Sequence, residues 1–202
     1  HWLLQVPPRE RGWEWRHLYS ATDESLAVLP GHPGTITSID LSRDGTVLVS
    51  ADRQGWVRVW DARKGEERLR FRAAEQGIFH ADVSPDGRLI ATAGADRTCR
   101  LWTADTGREV RTLWTHSVPV SACAFSPDGR WLAASAYVQP EASRPSSIYG
   151  VVRVFDLRGD DEPYELRGGN KPLSGLTWSD DGRQLGASSW AYLTAVWKAQ
   201  PG

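Results

Sequence analysis

The chain has 202 residues, of which 40 % are hydrophobic and 24 % are charged, a composition typical of a folded globular protein. Its 24 lysines and arginines almost balance its 25 acidic residues, so the net charge gives no reason to expect nucleic acid or an anionic membrane as a partner. No apolar run approaches the roughly 20 residues that span a bilayer, and no signal peptide is recognisable at the start.

Residues 1–22 differ from the rest of the chain, and we predict a short helical junction segment here. Pro7-Pro8 can open a helix, and residues 9–19 contain no helix breaker apart from Gly12. The sequence begins at His1 and contains no methionine, so we expect a fragment of a longer protein. Residues 24–30 predict one strand that leads into the next segment.

Residues 31–61 form a unit that recurs three more times in the sequence. The unit opens with Gly31-His32, turns at an Asp-Gly pair and closes on an aromatic residue. The Asp-Gly pairs begin at Asp44, Asp86, Asp128 and Asp181, and the closing aromatics are Trp60, Trp102, Phe155 and Trp197. The period is 42 residues, with one insertion of 11 residues inside the third copy. A fixed period of this length indicates a repeat architecture with units of about 31–72, 73–114, 115–167 and 168–198.

Each unit has the pattern of four short strands with alternating or continuous apolar residues. In the first unit we predict strands over residues 36–41, 46–51, 56–61 and 67–72. The Ser-Pro-Asp-Gly segments at 84–87 and 126–129 suit the hairpin between the first two strands, because proline presets one turn position and glycine accepts a positive φ at another.

A four-stranded antiparallel unit of this length cannot bury both of its faces alone, but sheets stacked radially bury them against their neighbours. We therefore predict an all-β protein over residues 23–202, a β-propeller segment of about four four-stranded blades. The 11 tryptophans fit this architecture, since large aromatic side chains fill the wedges between twisted blades.

These residues carry a resemblance to a known family. Gly31-His32 with Trp60-Asp61, the Ser-Pro-Asp-Gly turns and the segment 94–102, GADRTCRLW, resemble the WD-repeat (Trp-Asp repeat) β-propellers over about residues 24–198. Residues 11–15, RGWEW, also resemble the junction that precedes WD-repeat regions in large bacterial proteins, including many serine/threonine kinases. The resemblance implies seven or eight blades, so we expect further repeats in the parent protein and an open arc in this chain, with residues 24–30 as a strand that can complete the fourth blade.

The resemblance also implies a structural hydrogen-bond network of a loop histidine, a strand Ser or Thr, a turn Asp and the closing Trp. The matching residues are His32, Ser50 and Trp60 in the first unit, Thr92, Asp96 and Trp102 in the second, His116 in the third and Trp197 in the fourth. Gln54 stands at the expected Asp position of the first unit, so we expect no unit to have the complete network. The missing hydrogen bonds should make the loops of the units less stable.

The sequence gives little support for catalysis, cofactors or metals. His32, Asp96, Ser50 and Ser135 recur in register, which suits a structural role better than a catalytic one. No Cys, His or Asp cluster has metal-ligand spacing, and no nucleotide-binding or nucleophile-elbow motif is present. Cys99 and Cys123 lie in predicted strands, where we expect small buried apolar residues rather than a disulfide. We predict that the chain is not an enzyme.

The insertion in the third unit, residues 137–150, is the strongest candidate for a partner-binding site. Tyr137 and Tyr149 bracket a Pro/Ser segment centred on Arg144, and Tyr and Arg are enriched among interface hot spots. An idle surface loop is an equal alternative, since loops absorb insertions at little cost. Arg53, Arg97 and Trp190 occupy the equivalent loops of the other units and extend the candidate surface.

We therefore predict a non-catalytic protein-interaction scaffold, a module of a larger bacterial protein with a kinase domain as one candidate neighbour, and no nucleic acid or membrane contact. The alternative is a propeller enzyme or periplasmic propeller of the lactonase or Tol-associated kind, which would gather two or more carboxylates or histidines in the central channel. A third hypothesis makes the segment a spacer. The cytoplasm is the favoured compartment, and an extracytoplasmic location stays open.

Overall fold

The computed structural model describes residues 28–138, 149–159, 161–168, 173–189 and 194–199. The chain divides into two compact units, residues 1–30 and 31–202. The second unit contains four antiparallel sheets, and the described residues form strands, turns and connections without any helix. In the described part of the chain there is accordingly no helix long and apolar enough to cross a membrane.

Each sheet takes its strands from consecutive segments of the chain, and neighbouring strands are antiparallel. The first sheet contains β1 (Ile36–Leu41), β2 (Val47–Asp52), β3 (Trp56–Asp61) and β4 (Glu66–Arg72). The second contains β5 (Ile78–Val83), β6 (Leu89–Gly94), β7 (Thr98–Thr103) and β8 (Glu109–Thr115). The third contains β9 (Ala122–Phe125), β10 (Trp131–Val138), β11 (Tyr149–Asp156) and β12 (Tyr164–Gly168). The fourth contains β13 (Leu173–Trp178), β14 (Gln184–Ser189) and β15 (Thr194–Lys198).

The all-β prediction of four successive antiparallel units is confirmed, and the strands predicted in the first unit match the observed ones to within one residue. One local prediction is wrong in part, because residues 28–30 are not in a strand. The rest of the strand predicted over 24–30, and the helical junction predicted over 1–22, lie outside the described residues.

The Asp-Gly turns explain why the hairpins between first and second strands form at regular intervals. In the first turn the Ser42 hydroxyl donates to Asp44 Oδ1 at 2.7 Å, and the Gly45 N–H donates to the Ser42 carbonyl at 2.8 Å. Gly45 has a φ of 68°, a conformation that side-chain-bearing residues rarely adopt. The same Ser-to-Asp bond recurs at Ser84, Ser126 and Ser179.

Three clusters of buried side chains fill the spaces between successive sheets. Val49 and Val57 of the first sheet pack with Ile90 and Trp102 of the second. Cys99 and Cys123 are buried between the second and third sheets as free thiols, in agreement with the sequence prediction. A third cluster includes Val152 and Leu185 and joins the third sheet to the fourth. The core is therefore distributed between the sheets, as stacked repeats require.

The first strands of successive sheets, β1, β5, β9 and β13, lie next to one another in chain order. The Thr37 hydroxyl donates to the Ile78 carbonyl at 2.8 Å, and the Ser38 hydroxyl donates to the Ala81 carbonyl at 2.9 Å. Farther along the stack, the Trp178 indole N–H donates to the Ala124 carbonyl at 3.0 Å. These bonds join β1 to β5 near the start of each strand and β13 to β9 near the end of each strand.

Candidate functional site

A cavity of about 610 Å³ lies where the four first strands begin. All four sheets contribute to its wall, together with the β2–β3 loop and the end of β10. The lining residues are Thr35, Ile36, Thr37, Arg53, Phe79, Pro119, Ser121, Tyr137, Leu173 and Ser174. The wall is mostly apolar, with hydroxyl groups and one cationic side chain, which is the composition of a typical binding pocket.

Among the described residues, Arg53 is the one charged side chain on the cavity wall, and hydrogen bonds and close packing fix its backbone. The Arg53 N–H donates to the Thr35 carbonyl at 3.0 Å. A Cβ on Gly77 would lie 2.7 Å from the Arg53 carbonyl oxygen, so the close approach of these two segments requires glycine. The Arg53 side chain is exposed, and within the described ranges it forms no ion pair. It is therefore free to pair with an anionic group of a ligand.

The apolar part of the wall includes side chains that are unusually exposed for their type. Ile36 is 50 % exposed and Phe79 is 37 % exposed. Tyr137 is partly buried, packing against the cluster between the second and third sheets while it lines the cavity. When a ligand covers apolar side chains in a concave site, apolar surface is removed from water and the complex is stabilised.

The structure brings together only some of the predicted partner-binding residues. Arg53 and Tyr137 line the same cavity. Tyr149 begins β11 and pairs with Val138 across the hairpin, and the Arg167 guanidinium lies 5.9 Å from its ring centre. Arg97 is exposed on the β6–β7 turn with a φ of 69°, at the position that Gly55 occupies in the first sheet. Arg144 and Trp190 lie outside the described residues.

A complete hydrogen-bond network joins the loop, strands and closing tryptophan of the first sheet. The Trp60 indole N–H donates to Ser50 Oγ at 2.9 Å, and Ser50 Oγ lies 2.6 Å from His32 Nε2. On the other side of the ring, His32 Nδ1 lies 2.9 Å from Asp52 Oδ2. A neutral imidazole with its proton on Nδ1 satisfies every contact, because Nε2 then accepts from the serine hydroxyl and Nδ1 donates to the carboxylate.

The expectation that this unit lacks its acidic member is wrong, because Asp52 fills the role expected at Gln54. Asp52 is fully buried, and its Oδ1 accepts the N–H groups of Gln54 at 2.9 Å and Trp56 at 3.0 Å. Burial raises the pKa of Asp52, but the hydrogen bonds from Trp56, His32 and Gln54 outweigh it, and the net pKa is lowered. The order Ser50, Ala51, Asp52 at the end of β2 is the sequence signal for this role. The repeat alignment hides it, because the acidic residue of the second unit, Asp96, aligns with Gln54 and lies beyond the end of β6.

The other sheets retain only parts of this network. In the second sheet the Trp102 indole N–H donates to Thr92 Oγ1 at 2.9 Å, but Asp96 binds Thr98 at 2.9 Å and Arg100 at 3.2 Å instead. In the third sheet His116 Nδ1 accepts the Val118 N–H at 3.2 Å. In the fourth sheet the Trp197 indole N–H donates to the Arg167 carbonyl at 3.2 Å.

Two carboxylates and a histidine, Asp40, Asp82 and His80, lie on β1 and β5 and are the kinds of group that the enzyme alternative requires. Both carboxylates, however, already bind the backbone of the next sheet: Asp40 accepts the Val83 N–H at 2.8 Å and Asp82 accepts the Phe125 N–H at 2.6 Å. Each bond joins residues 43 positions apart, so the same contact recurs between successive sheets. Such recurrence indicates a structural role. Burial and the adjacent Asp40 charge raise the pKa of Asp82 to about 8.

The neighbouring His80 and Cys123 offer no activated group. Burial lowers the pKa of His80 and raises the pKa of the Cys123 thiol well above its usual range. The Cys123 sulfur lies 3.9 Å from His80 Nδ1, which is a weak contact for a thiol. Across the described ranges, no group of three His, Cys, Asp or Glu side chains is arranged to hold a metal ion.

Comparison with known proteins agrees with the repeat pattern. The family model described as "WD domain, G-beta repeat" matches residues 23–61, 65–103 and 107–156. These three segments cover more than half of the chain and end on the closing aromatic segments of the first three sheets. A search of curated proteins found no significant match.

Proposed function

We infer that this chain, which belongs to the WD-repeat family, is a non-catalytic module that binds a protein partner at the cavity where its first strands begin. WD-repeat modules are typically protein-interaction scaffolds and are generally non-catalytic. The observation that carries the proposal is the unpaired Arg53 beside the exposed Phe79 and the partly buried Tyr137.

The chemistry of the cavity indicates what part of a partner it binds. An apolar or aromatic side chain fits between Phe79, Tyr137 and Leu173, where it removes apolar surface from water. A neighbouring carboxylate pairs with Arg53 in a charge-assisted contact. We therefore expect a segment with an aromatic or large aliphatic residue next to Asp or Glu.

Selection from a displayed library of random peptides tests this specificity. Peptides selected on the wild-type chain should share the apolar-acidic pair, and Arg53→Glu should weaken their binding at least tenfold. Arg183→Glu is the matched control, because Arg183 is also exposed but belongs to the Asp-Gly turn at the opposite end of the strands. Equal affinity of the selected peptides for wild-type and Arg53→Glu protein would overturn the proposal.

Two alternatives have distinct outcomes. Turnover in a hydrolase screen, abolished by Asp40→Asn or Asp82→Asn, would support the propeller-enzyme hypothesis. The spacer hypothesis predicts that replacing Tyr137, Arg144 and Tyr149 together leaves every bound partner in place, whereas our proposal predicts weaker binding.

The cellular context of the module is a further part of the proposal. We propose a place within a larger bacterial protein that also contains a kinase domain, because residues 11–15 resemble the junction before the repeats of such proteins, and the cytoplasm stays the favoured compartment. The sequence that precedes residue 1 in the parent gene tests this context directly.

A further inference from the structure

The first strands of three sheets contain, near their start, one extra residue that lies outside the regular strand pairing. The pairing of β1 with β2 shifts register between Ile36 and Ser38, and the pairing of β5 with β6 shifts between Ile78 and His80. The pairing of β13 with β14 shifts at the same place. A bulge of this kind redirects a side chain. The extra residues are Thr37, Phe79 and Ser174, and all three line the cavity.

Ser121 has the same position in the third sheet, one repeat after Phe79 and directly before β9. It also lines the cavity. Each sheet therefore contributes its equivalent residue to the wall. Three of these residues carry a hydroxyl group, and the one from the second sheet, Phe79, carries an aromatic ring.

The hydroxyl groups at this position use their protons within the protein. The Thr37 hydroxyl donates to the Ile78 carbonyl at 2.8 Å. The Ser121 hydroxyl donates to the Ser135 carbonyl at 3.0 Å and lies 3.0 Å from the Ser135 hydroxyl. A hydroxyl has one proton and two lone pairs, so each of these oxygens keeps a lone pair for a ligand but has no proton to give it. The polar part of the wall therefore favours a ligand group that donates a hydrogen bond.

Phe79 cannot make the hydrogen bond to a strand carbonyl that the hydroxyl residues make. Its side chain has no polar atom, and it is 37 % exposed. A ligand ring that packs on Phe79 gains an aromatic contact worth roughly threefold to tenfold in affinity beyond the apolar area that it buries. The second sheet therefore offers the cavity a site for an aromatic side chain.

Arg53 lies beside this aromatic position. Gly77, two residues before Phe79, approaches the Arg53 backbone so closely that a Cβ on Gly77 would lie 2.7 Å from the Arg53 carbonyl oxygen. Two residues of a strand span roughly 7 Å. A ring on Phe79 and a carboxylate on Arg53 can therefore come from adjacent residues of one ligand segment.

We propose that the cavity selects a tyrosine or tryptophan of the partner next to Asp or Glu, and that Phe79 is the specificity-determining residue. The partner ring packs on Phe79, its O–H or N–H donates to Thr37 or Ser121, and the acidic neighbour pairs with Arg53. This inference rests on the proposed function, and it narrows the apolar or aromatic residue expected there to aromatic residues that carry a polar hydrogen.

Variants of one peptide test the selection. The probe is the tightest-binding peptide from the random library, synthesised with Tyr, Trp, Phe or Leu at its apolar position and titrated by calorimetry. On the wild-type chain the better of the Tyr and Trp peptides should bind roughly twofold to tenfold more tightly than the Phe peptide, which lacks a donor. The Phe peptide should bind roughly threefold to tenfold more tightly than the Leu peptide. Phe79→Ser, which places there the residue of the third and fourth sheets, should reduce this second ratio to within twofold.

Thr37 offers a matched pair of variants for the hydroxyl contact. Thr37→Val combined with Ser121→Ala should remove the preference for Tyr or Trp over Phe, whereas Thr37→Ser keeps the hydroxyl and should keep the preference. Each ratio is measured on one variant, so a lower folded fraction affects both peptides equally.

Two results would overturn the inference while Arg53→Glu still weakens binding. One is a Phe or Leu peptide that binds the wild-type chain as tightly as the Tyr and Trp peptides. The other is an unchanged ratio of Phe to Leu affinity in Phe79→Ser. Equal affinity of the selected peptide for wild-type and Arg53→Glu protein would instead overturn the proposed function itself.

Discussion

Asp52 should be the most sensitive residue of the first sheet to substitution. Its carboxylate is fully buried and accepts one hydrogen bond from His32 and two from backbone N–H groups. Asp52→Ala leaves these three donors without their acceptor, and each buried unsatisfied group costs about 1–3 kcal/mol, less where water enters. We therefore expect the free energy of unfolding to fall by about 3–5 kcal/mol.

Urea unfolding followed by tryptophan fluorescence measures this loss, provided that the slope of the unfolding free energy against urea concentration is the same for the wild type and the variant. Asp96→Ala is the matched control, because Asp96 is the acidic residue of the second repeat but, among the described residues, binds Thr98 and Arg100 near the surface and no buried histidine. Its loss should cost no more than about 1 kcal/mol. Equal costs for the two variants would refute the network described for the first sheet.

A double-mutant cycle between His32→Ala and Asp52→Ala isolates their direct contact. The two side chains share one hydrogen bond inside a larger network, so their effects should not add. We expect a coupling energy of about 1–2 kcal/mol. Purely additive effects would mean that the histidine and the aspartate stabilise the sheet independently.

Three further predictions concern the contacts between sheets. Because the pKa of Asp82 is raised to about 8 from 3.8, the folded chain keeps a proton that the unfolded chain releases, so stability should fall as the pH rises from about 4 to about 8. Asp82→Asn should flatten that slope between about pH 4 and about pH 8 in urea titrations, and an unchanged slope would show that other groups cause the pH dependence. Gly77→Ala should lower the free energy of unfolding by about 1–3 kcal/mol, because its Cβ would collide with the Arg53 carbonyl, and a neutral effect would show that the loop relaxes. Cys99 and Cys123 should react with a thiol reagent only at the rate of unfolding, and fast labelling of the native chain would contradict their burial.

The sequence was sufficient for the strands and turns because their signals are local. An Asp-Gly pair sets each hairpin, and alternating apolar residues set each strand, so β1 and β3 were predicted with their observed bounds. The fixed period then linked these local signals into stacked sheets.

The site was harder to predict because it depends on contacts between distant residues. Thr35 and Leu173 line one cavity although they lie at opposite ends of the repeats. In the sequence, Asp40 and Asp82 look like any polar residue of an alternating strand. They accept hydrogen bonds from the Val83 and Phe125 N–H groups only because successive sheets pack together. Such contacts follow from the arrangement of sheets rather than from spacing within a strand.

Hydrogen exchange of the chain with a selected peptide bound tests the partner-binding cavity most directly. We expect slower amide exchange confined to the residues that line the cavity and their immediate neighbours, namely the segments around 35–37, Arg53, Phe79, 119–121, Tyr137 and 173–174. Protection of the Asp-Gly turns at the opposite end of the strands, with unchanged exchange around Arg53, would contradict it.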